Sequence, residues 1–301
     1  MELILNTNHL GYEQVLDTDI DAIIVGLKNF CVGETFPLPI KKLSTAINNI
    51  KNKKKKIYLS LNLFATEKDI KRIKKTLKKI INLNIDGYIV SDLGIINIFK
   101  TLHLESKVIL DLQTYVTNKY SASSLLNLGV KRIYLAKEIT LEDIKEISKT
   151  NDNIELLAQG YYPITYSKRP ILTCYFKNFK TRRKSSLYFI KEESREDFYP
   201  LVENKNCLLV YNNKQYSLFN NLPELINEGI KHLRIDTAFL EKKEIEEYIE
   251  FYSKAIKLIK EGKIDMFTKL KEEFNNKYVF DTPFLYNESF LLKEGKWQWK
   301  R

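Results

Sequence analysis

The chain has 301 residues, 44% of them hydrophobic, and a formal charge of +11 with a sequence pI of about 9.2. This length allows one large α/β domain or two smaller ones, and the sparse Gly and Pro content excludes extended disorder. Three widely separated cysteines without a C-x-x-C pair exclude a disulfide framework and a zinc site of ordinary spacing. Runs of lysine are typical of a solvated helix surface and also of a surface that attracts polyanions.

The N-terminal segment has no basic stretch ahead of an apolar core, so it does not have the pattern of a signal peptide. No apolar run approaches the ~18–20 residues that a membrane span needs. We therefore expect a cytoplasmic protein that does not associate with membranes.

Short apolar runs rich in β-branched residues alternate with amphipathic, lysine-rich segments, a pattern that predicts parallel strands joined by helices. The clearest helix is Thr66–Leu83, whose apolar residues recur at helical spacing opposite the lysines. Seven such strands are predicted before residue 160: Leu3–Leu5, Ala22–Val25, Ile57–Leu61, Gly87–Val90, Lys107–Asp111, Arg132–Ala136 and Ile154–Leu157.

The alternation stops after residue 160. Residues 161–221 show no long helical pattern, and their predicted strands are Leu187–Ile190, Cys207–Tyr211 and Gln215–Phe219, the last two as a hairpin. An eighth barrel-type strand, His232–Ile235, and a long helix, Leu240–Lys260, follow.

This order of elements predicts an α/β fold, a (β/α)8 TIM-like barrel with a β-rich insertion between strands seven and eight. The barrel would comprise residues 1–160 and 222–265, the insertion residues 161–221, and a C-terminal tail residues 266–301. A doubly wound sheet with a separate β subdomain is the alternative, and the strand count favours the barrel.

Polar residues follow the predicted strands at their carboxyl ends, where barrels form their sites. After the seventh strand come Tyr166, Ser167, Lys168 and Arg169, and the guanidinium of Arg169 suits a carboxylate or a phosphate. We expect a ligand-binding rim centred on Arg169 that also includes Asn62, Gln113, Asn118, Glu138, Gln159 and Arg234. Ordinary roles fit some of these equally well: loop and cap residues for Gln113 and Asn118, and a surface ion pair for Glu138.

Two further chemistries can be weighed from residue types. Ser167 has no evident base, and Cys174 would need a nearby imidazole, so a peptidase mechanism has weak support. Basic residues beside aromatic rings suit RNA, although packing of the tail on the barrel fits the tryptophans equally well. The RNA-binding candidates are Arg182, Arg183, Lys184, Trp297 and Trp299.

Three stretches of the chain resemble the collagenase-like peptidase family, the U32 group. They are residues 116–141, the loop that holds Gly160, Tyr166, Ser167 and Arg169, and residues 206–236. Asn62 after its strand also fits the pattern, and the resemblance spans about residues 1–260.

The resemblance carries implications for cofactors and partners. Members of that family with an iron–sulfur cluster have cysteines on both sides of this loop, where the present chain has Pro163 and Pro170, so we expect neither a cluster nor another metal. Short relatives of this kind resemble the smaller partner of a two-protein system. That implies tRNA wobble-uridine hydroxylation beside a larger homologue, no action on DNA, and prephenate, a small carboxylic acid, as the hydroxyl source in some branches. A collagenase-like peptidase and a non-enzymatic RNA- or partner-binding module remain the alternatives.

Overall fold

A computed structural model describes residues 1–191, 193 and 196–286. Numbered in chain order, its strands are β1 (Glu2–Asn6), β2 (Ala22–Leu27), β3 (Pro37–Leu38), β4 (Lys56–Leu61), β5 (Gly87–Val90), β6 (Val108–Asp111), β7 (Arg132–Tyr134), β8 (Ile154–Gly160), β9 (Pro163–Ser167), β10 (Leu187–Lys191), β11 (Phe198–Glu203), β12 (Leu208–Tyr211), β13 (Tyr216–Ser217) and β14 (His232–Asp236). Its α-helices are α1 (Ile40–Asn52), α2 (Glu67–Ile80), α3 (Leu93–Thr101), α4 (Lys119–Leu126), α5 (Leu141–Ser148), α6 (Ile171–Asn178), α7 (Leu222–Asn227), α8 (Lys242–Lys260) and α9 (Ile264–Lys277).

Eight parallel strands close into a barrel, which confirms the predicted fold. They follow one another in the ring as β1, β2, β4, β5, β6, β7, β8 and β14, and β1 completes the ring by pairing with both β2 and β14. Helices connect successive strands and cover the outside, where Ile73, Leu77 and Ile80 of α2 are completely buried. None of the described helices has the length and apolar character to cross a membrane.

Local sequence explains where these helices begin. Thr66 and Asp69 form a reciprocal capping box at the start of α2, and Thr140 and Asp143 form another at the start of α5. Each box satisfies backbone N–H groups that the first turn of a helix leaves without partners. Because these helices start at fixed residues, the loops between strand and helix at the barrel mouth have fixed lengths.

The interruption after β8 is a second, four-stranded antiparallel sheet in the order β10, β11, β12, β9. One face packs against Leu172 and Phe176 of α6. The opposite face contributes Val202 and Leu209 to a cluster with residues of the barrel loops, such as Leu63. The sheet therefore lies between α6 and the barrel mouth.

One detail of the prediction is wrong, and one region has more structure than its sequence pattern indicated. The strands after residue 207 do not form a hairpin, because β12 pairs with β11 and β9 while β13 returns to pair with β8. The predicted C-terminal tail begins with helix α9, which packs on α8, and Phe274 stacks on Phe219 with ring centroids 4.0 Å apart. In both places apolar residues distant in the chain select the structure.

Gly160, the last residue of β8, is a point of close backbone approach. Its φ is +124°, and a Cβ at this position would lie 2.1 Å from the backbone oxygen of Asp236. Only glycine accepts both the positive φ and this contact. The contact brings the ends of β8 and β14 together at the mouth.

We expect Gly160→Ala to lower the free energy of unfolding by about 3 kcal/mol or more, because backbone strain and a steric clash act together. Gly229→Ala is the matched control, since Gly229 also has a positive φ (+76°) but a Cβ added there would meet no atom within 4 Å. The control should lose only about 1 kcal/mol. Urea unfolding of both variants measures the difference, and equal losses would contradict the proposed close approach.

Candidate functional site

Charged side chains form a continuous chain inside the barrel. Glu155 of β8, which has no exposed surface, accepts hydrogen bonds from the Nε atoms of Arg132 and Arg234, each 2.5 Å from a different carboxylate oxygen. Arg132 lies 4.5 Å from the ring centroid of Tyr58, and Arg234 lies 3.9 Å from that of Tyr134. Both guanidinium groups are therefore neutralised by a carboxylate and packed against an aromatic ring.

The lower end of this chain lies at the amino-terminal side of the barrel. Glu2 accepts from Arg132 at 3.1 Å and from the Tyr58 hydroxyl at 2.7 Å, and it also contacts His232 Nδ1 at 2.7 Å and Lys56 Nζ at 3.1 Å. Burial opposes ionisation of Glu2, but the hydrogen bond from His232 and the charge of Arg132 outweigh it and hold the carboxyl pKa well below its usual range. His232 thus has a structural partner far from the mouth.

The upper end of the chain reaches the mouth. Arg234 Nη1 donates to Asp111 Oδ2 at 2.8 Å. Along β14, His232, Arg234 and Asp236 occupy alternate positions and therefore share the inward face of the strand. One strand in this way carries titratable groups from the bottom of the barrel to its mouth.

A cavity of about 380 Å³ lies at the mouth, beneath the insertion sheet. The aromatic residues of its lining are Phe64, Tyr115, Tyr134, Tyr162, Tyr166 and Tyr211. Its polar lining comes from Asn6, Glu34, Thr35, Asn62, Ser91, Asp111, Gln113, Thr114, Lys137, Thr165, Arg234 and Asp236. An enclosed aromatic cavity with a few convergent polar groups is the usual form of a small-molecule site.

Lys137 and Asp236 are titratable groups in this lining with shifted pKa values. Burial lowers the pKa of Lys137 although Asp111 acts in the opposite direction. Its Nζ lies 3.3 Å from the Gln113 amide oxygen and 4.6 Å from the Tyr134 ring centroid, and it forms no ion pair with a carboxylate of the described residues. Burial raises the pKa of Asp236, against a hydrogen bond from Asn6. An amino group and a carboxyl group with shifted pKa values therefore face the same cavity.

Three oxygen atoms on cavity-lining residues have no hydrogen-bond partner within the described part of the chain. They are Asn6 Oδ1, Ser91 Oγ and the Tyr166 hydroxyl oxygen. A buried polar atom without a partner costs free energy unless a ligand or water satisfies it. Their common position around one cavity places these oxygens where a polar ligand or water can satisfy them.

Four of the predicted rim residues line this cavity: Asn62, Gln113, Tyr166 and Arg234. Asn62 also fixes a loop by accepting from the Val32 backbone N–H at 2.8 Å. Gln113 adopts a positive φ of 60° and contacts Asp111 through its side-chain nitrogen at 2.9 Å. The rule that sites form at strand ends therefore located part of the site.

The structure does not place Arg169 at the centre of this rim, and that expectation needs correction. Arg169 is exposed and, with Lys168, lines a separate surface groove on the insertion, while the guanidinium at the cavity is that of Arg234. Ser167 is half-buried and its Oγ accepts from the Arg169 N–H at 3.1 Å. The cause is β9, which pairs with β12 and leads the chain out of the cavity after Tyr166.

The other predicted rim residues have local roles. Asn118 caps α4 by accepting from the N–H groups of Tyr120 and Ser121. Glu138 is exposed beyond the cavity lining. Gln159 is completely buried and donates to Gln215 at 3.0 Å.

The RNA-binding candidates are separated by the structure. Arg182 and Lys184 are exposed on the insertion. Arg183 is half-buried and donates to backbone oxygens, including that of Glu203 at 2.7 Å. Trp297 and Trp299 lie outside the described residues.

Sequence reasoning missed Lys137, Asp236 and the interior residues Arg132 and Glu155 as parts of a site. A signal was present, since a single charged residue in an apolar strand, such as Glu155 in IELLAQG, is costly unless it has a partner. Such residues on three or more strands of one barrel predict an interior network.

The cysteines of the chain do not fit an iron–sulfur cluster. Cys174 is exposed on α6, whereas Cys31 and Cys207 are buried, and burial raises their thiol pKa values to about 12 and about 11. Proline occupies positions 163 and 170, and no group of three or more His, Cys, Asp or Glu side chains in the described ranges could hold a metal ion. Cluster ligation needs several convergent thiolates, which this arrangement does not supply.

Comparison with known proteins gives a family match over nearly the whole chain. The model of peptidase family U32 matches residues 8–298.

Three curated relatives are 22–26% identical to this chain over the aligned residues. "tRNA hydroxylation protein P2" of Bacillus subtilis is 22% identical over 78% of this chain and 80% of its own length. "tRNA hydroxylation protein P" of Helicobacter pylori is 25% identical over 73% of this chain and 56% of its own length. "Uncharacterized protease MJ0090" of Methanocaldococcus jannaschii is 26% identical over 96% of this chain and 74% of its own length.

We expect Glu155→Gln to lower the free energy of unfolding at neutral pH by about 3–5 kcal/mol, because it leaves two buried guanidinium groups without their shared carboxylate. In the native chain the arginines hold the Glu155 pKa below its unfolded value of 4.5 despite burial. Its contribution is therefore complete above about pH 4.5 and is lost as the pH falls through the folded pKa.

Urea unfolding between acidic and neutral pH checks this expectation, with Glu138→Gln at an exposed carboxylate as the control. The native chain should lose stability on acidification more steeply than E155Q. Parallel pH profiles for the two proteins would show that Glu155 does not act as this shared counter-ion.

Proposed function

The chain belongs to peptidase family U32, and on that premise we propose that it acts with a larger homologous protein in 5-hydroxylation of the wobble uridine of tRNA. The names of the relatives in Bacillus subtilis and Helicobacter pylori support a role in tRNA hydroxylation. The chain spans four fifths of the first but only 56% of the second, so the family includes longer members that could serve as the larger partner.

The observation that carries the proposal is the cavity at the barrel mouth. Lys137 provides a cation without a carboxylate partner among the described residues, and aromatic rings enclose the space above it. A buried ammonium group of this kind suits a ligand carboxylate, which would form a charge-assisted hydrogen bond there. We propose that the cavity takes a small carboxylic acid, of which prephenate is the example implied by the family resemblance.

The unpartnered oxygens define how such a ligand would be held. Ser91 and Tyr166 can each donate a hydroxyl proton, and Asn6 Oδ1 can accept one. Asp236, whose pKa is raised by burial, lies in the same cavity lining. The residues of this chain thus bind and orient a polar molecule and exclude water, without an iron–sulfur cluster.

The arrangement of the candidate nucleophiles and histidines does not support a peptidase mechanism. The Ser167 hydroxyl is engaged by the Arg169 N–H, and Cys174 lies on the exposed helix α6. None of the described histidines lines the cavity, and His232 is bonded to Glu2 at the opposite end of the barrel. A nucleophile with an adjacent base, which acyl transfer requires, is not found among the described residues.

Deletion of the gene should remove 5-hydroxylated wobble uridine and its derivatives from cellular tRNA, as measured by mass spectrometry of tRNA nucleosides. Expression of the native chain in that strain should restore them. A separate strain that lacks the larger homologue is the positive control for loss of the modification. Normal hydroxylation in the strain that lacks this chain would refute the proposal.

Lys137→Met should separate binding from stability. Removing a buried charge that lacks a counter-ion should leave the free energy of unfolding unchanged or raise it by up to about 1 kcal/mol. Loss of a charge-assisted contact should weaken prephenate binding, measured by calorimetry, by roughly 10- to 100-fold.

Lys131→Met is the matched control for this experiment. Lys131 also has a pKa lowered by burial, but it donates to the Asp86 carbonyl at 2.8 Å at the other end of the barrel. It should leave ligand binding unchanged. A large loss of stability in K137M with unchanged ligand affinity would make Lys137 a structural residue.

A further inference from the structure

Residues 168–191 differ from the rest of the chain in charge. This stretch contains neither Asp nor Glu, although the whole chain has 38 acidic residues. Its cations are Lys168, Arg169, Lys177, Lys180, Arg182, Arg183, Lys184 and Lys191. Its aromatic residues are Tyr175, Phe176, Phe179, Tyr188 and Phe189. We call it the basic aromatic face.

The helix in this stretch, α6, is apolar on two sides. Leu172 and Phe176 pack on the insertion sheet. Ile171, Tyr175 and Phe179 recur every fourth residue on another side, and they are 49%, 54% and 60% exposed. The Tyr175 and Phe179 rings lie beside each other with centroids 4.7 Å apart. Large apolar side chains that remain exposed in a row indicate a surface that binds something.

The cations next to this row are available for a ligand. Lys168 and Arg169 line a surface groove and form no ion pair within the described part of the chain. The carboxylate in the groove lining, Glu203, is buried and already occupied. It accepts from the backbone N–H groups of Leu172 and Thr173 and from the Thr173 hydroxyl, and its backbone oxygen accepts from Arg183. The exposed charge of the face is therefore positive.

This combination favours RNA over a protein as the occupant. Unpaired bases stack on exposed tyrosine and phenylalanine rings, and surrounding cations contact the phosphates. The position also fits, since Tyr166 lines the cavity and Arg169, three residues later, lines the groove, so the two sites adjoin.

We propose that the basic aromatic face is an RNA-docking surface, in which Tyr175 and Phe179 stack on unpaired bases while Lys168, Arg169, Arg182 and Lys184 contact phosphates. The choice of RNA rests on the proposed function, whereas the location of the surface rests on the structure.

Fluorescence anisotropy with fluorescein-labelled oligouridylate tests the stacking residues. The double variant Tyr175→Ala, Phe179→Ala should weaken binding at least about fivefold, because stacking contributes to affinity at each base. Tyr120→Ala is the matched control, since Tyr120 is 76% exposed on α4 of the barrel and should leave the affinity unchanged. Circular dichroism of each variant verifies that the fold is retained.

The salt dependence tests the cations. Lys168→Gln with Arg169→Gln should reduce the slope of log Kd against log salt by roughly 0.7 for each single-stranded phosphate that the protein no longer neutralises. Lys78→Gln with Lys79→Gln, two exposed lysines of α2, should leave the slope unchanged.

The outcomes distinguish this surface from the proposed function. If the native chain binds oligouridylate and Y175A/F179A binds equally well, the docking surface is refuted while a role in tRNA hydroxylation stands. Absence of RNA binding by the native chain also overturns the docking surface. If Y175A/F179A loses co-purification with the larger homologue but keeps its RNA affinity, the face is a protein interface and the proposal is wrong. The proposed function is tested separately, because unchanged tRNA nucleosides in the deletion strain would refute it whatever the RNA-binding result.

Discussion

The rest of the barrel depends on one buried carboxylate, Glu155, which is shared by two buried arginines. Each of the three groups would be costly in an apolar interior, and they are tolerated because each charge meets an opposite charge at hydrogen-bond distance. The alternation of acidic and basic side chains continues to Glu2 at the lower end and to Asp111 at the upper end. The barrel interior is therefore ordered by charge neutralisation as well as by packing. The alternation ends at the mouth, where Lys137 has no carboxylate partner in the part of the chain that the structure describes. The unsatisfied end of a structural network thus becomes the candidate binding site.

The insertion turns this open end into an enclosed cavity. Its sheet lies across the mouth and supplies Tyr166 from β9 and Tyr211 from β12 to the cavity wall. Its other face holds α6 and with it the basic aromatic face. One small sheet therefore connects the proposed ligand cavity with the proposed RNA-docking surface. This arrangement is what a protein that brings a small reactant to a nucleic acid would require.

The barrel could be predicted from the sequence because its strands and helices are each marked by local apolar spacing and by caps such as Thr140 with Asp143. Part of the site could be predicted for a related reason. Asn62, Gln113 and Arg234 lie at or near strand ends, and strand ends of a barrel converge whatever the details of the loops. The position of Arg169 could not be predicted in this way, because it depends on β9 pairing with a strand about 40 residues later, as Ser167 with Leu208 shows. The role of Lys137 could not be predicted either, because it depends on the absence of a carboxylate partner among the described residues, which only the folded structure shows.

The bonds of Glu203 have a further consequence for the insertion. From its place at the end of β11, this residue fixes the first turn of α6 through Leu172 and Thr173 and fixes the following loop through Arg183. The backbone that displays the aromatic rings is thereby held in one conformation before any ligand arrives. Most of the conformational entropy of ordering that surface is lost during folding rather than during association. Such a preorganised surface would bind RNA with little folding coupled to binding. Its affinity for RNA would then depend mainly on the contacts between the two molecules.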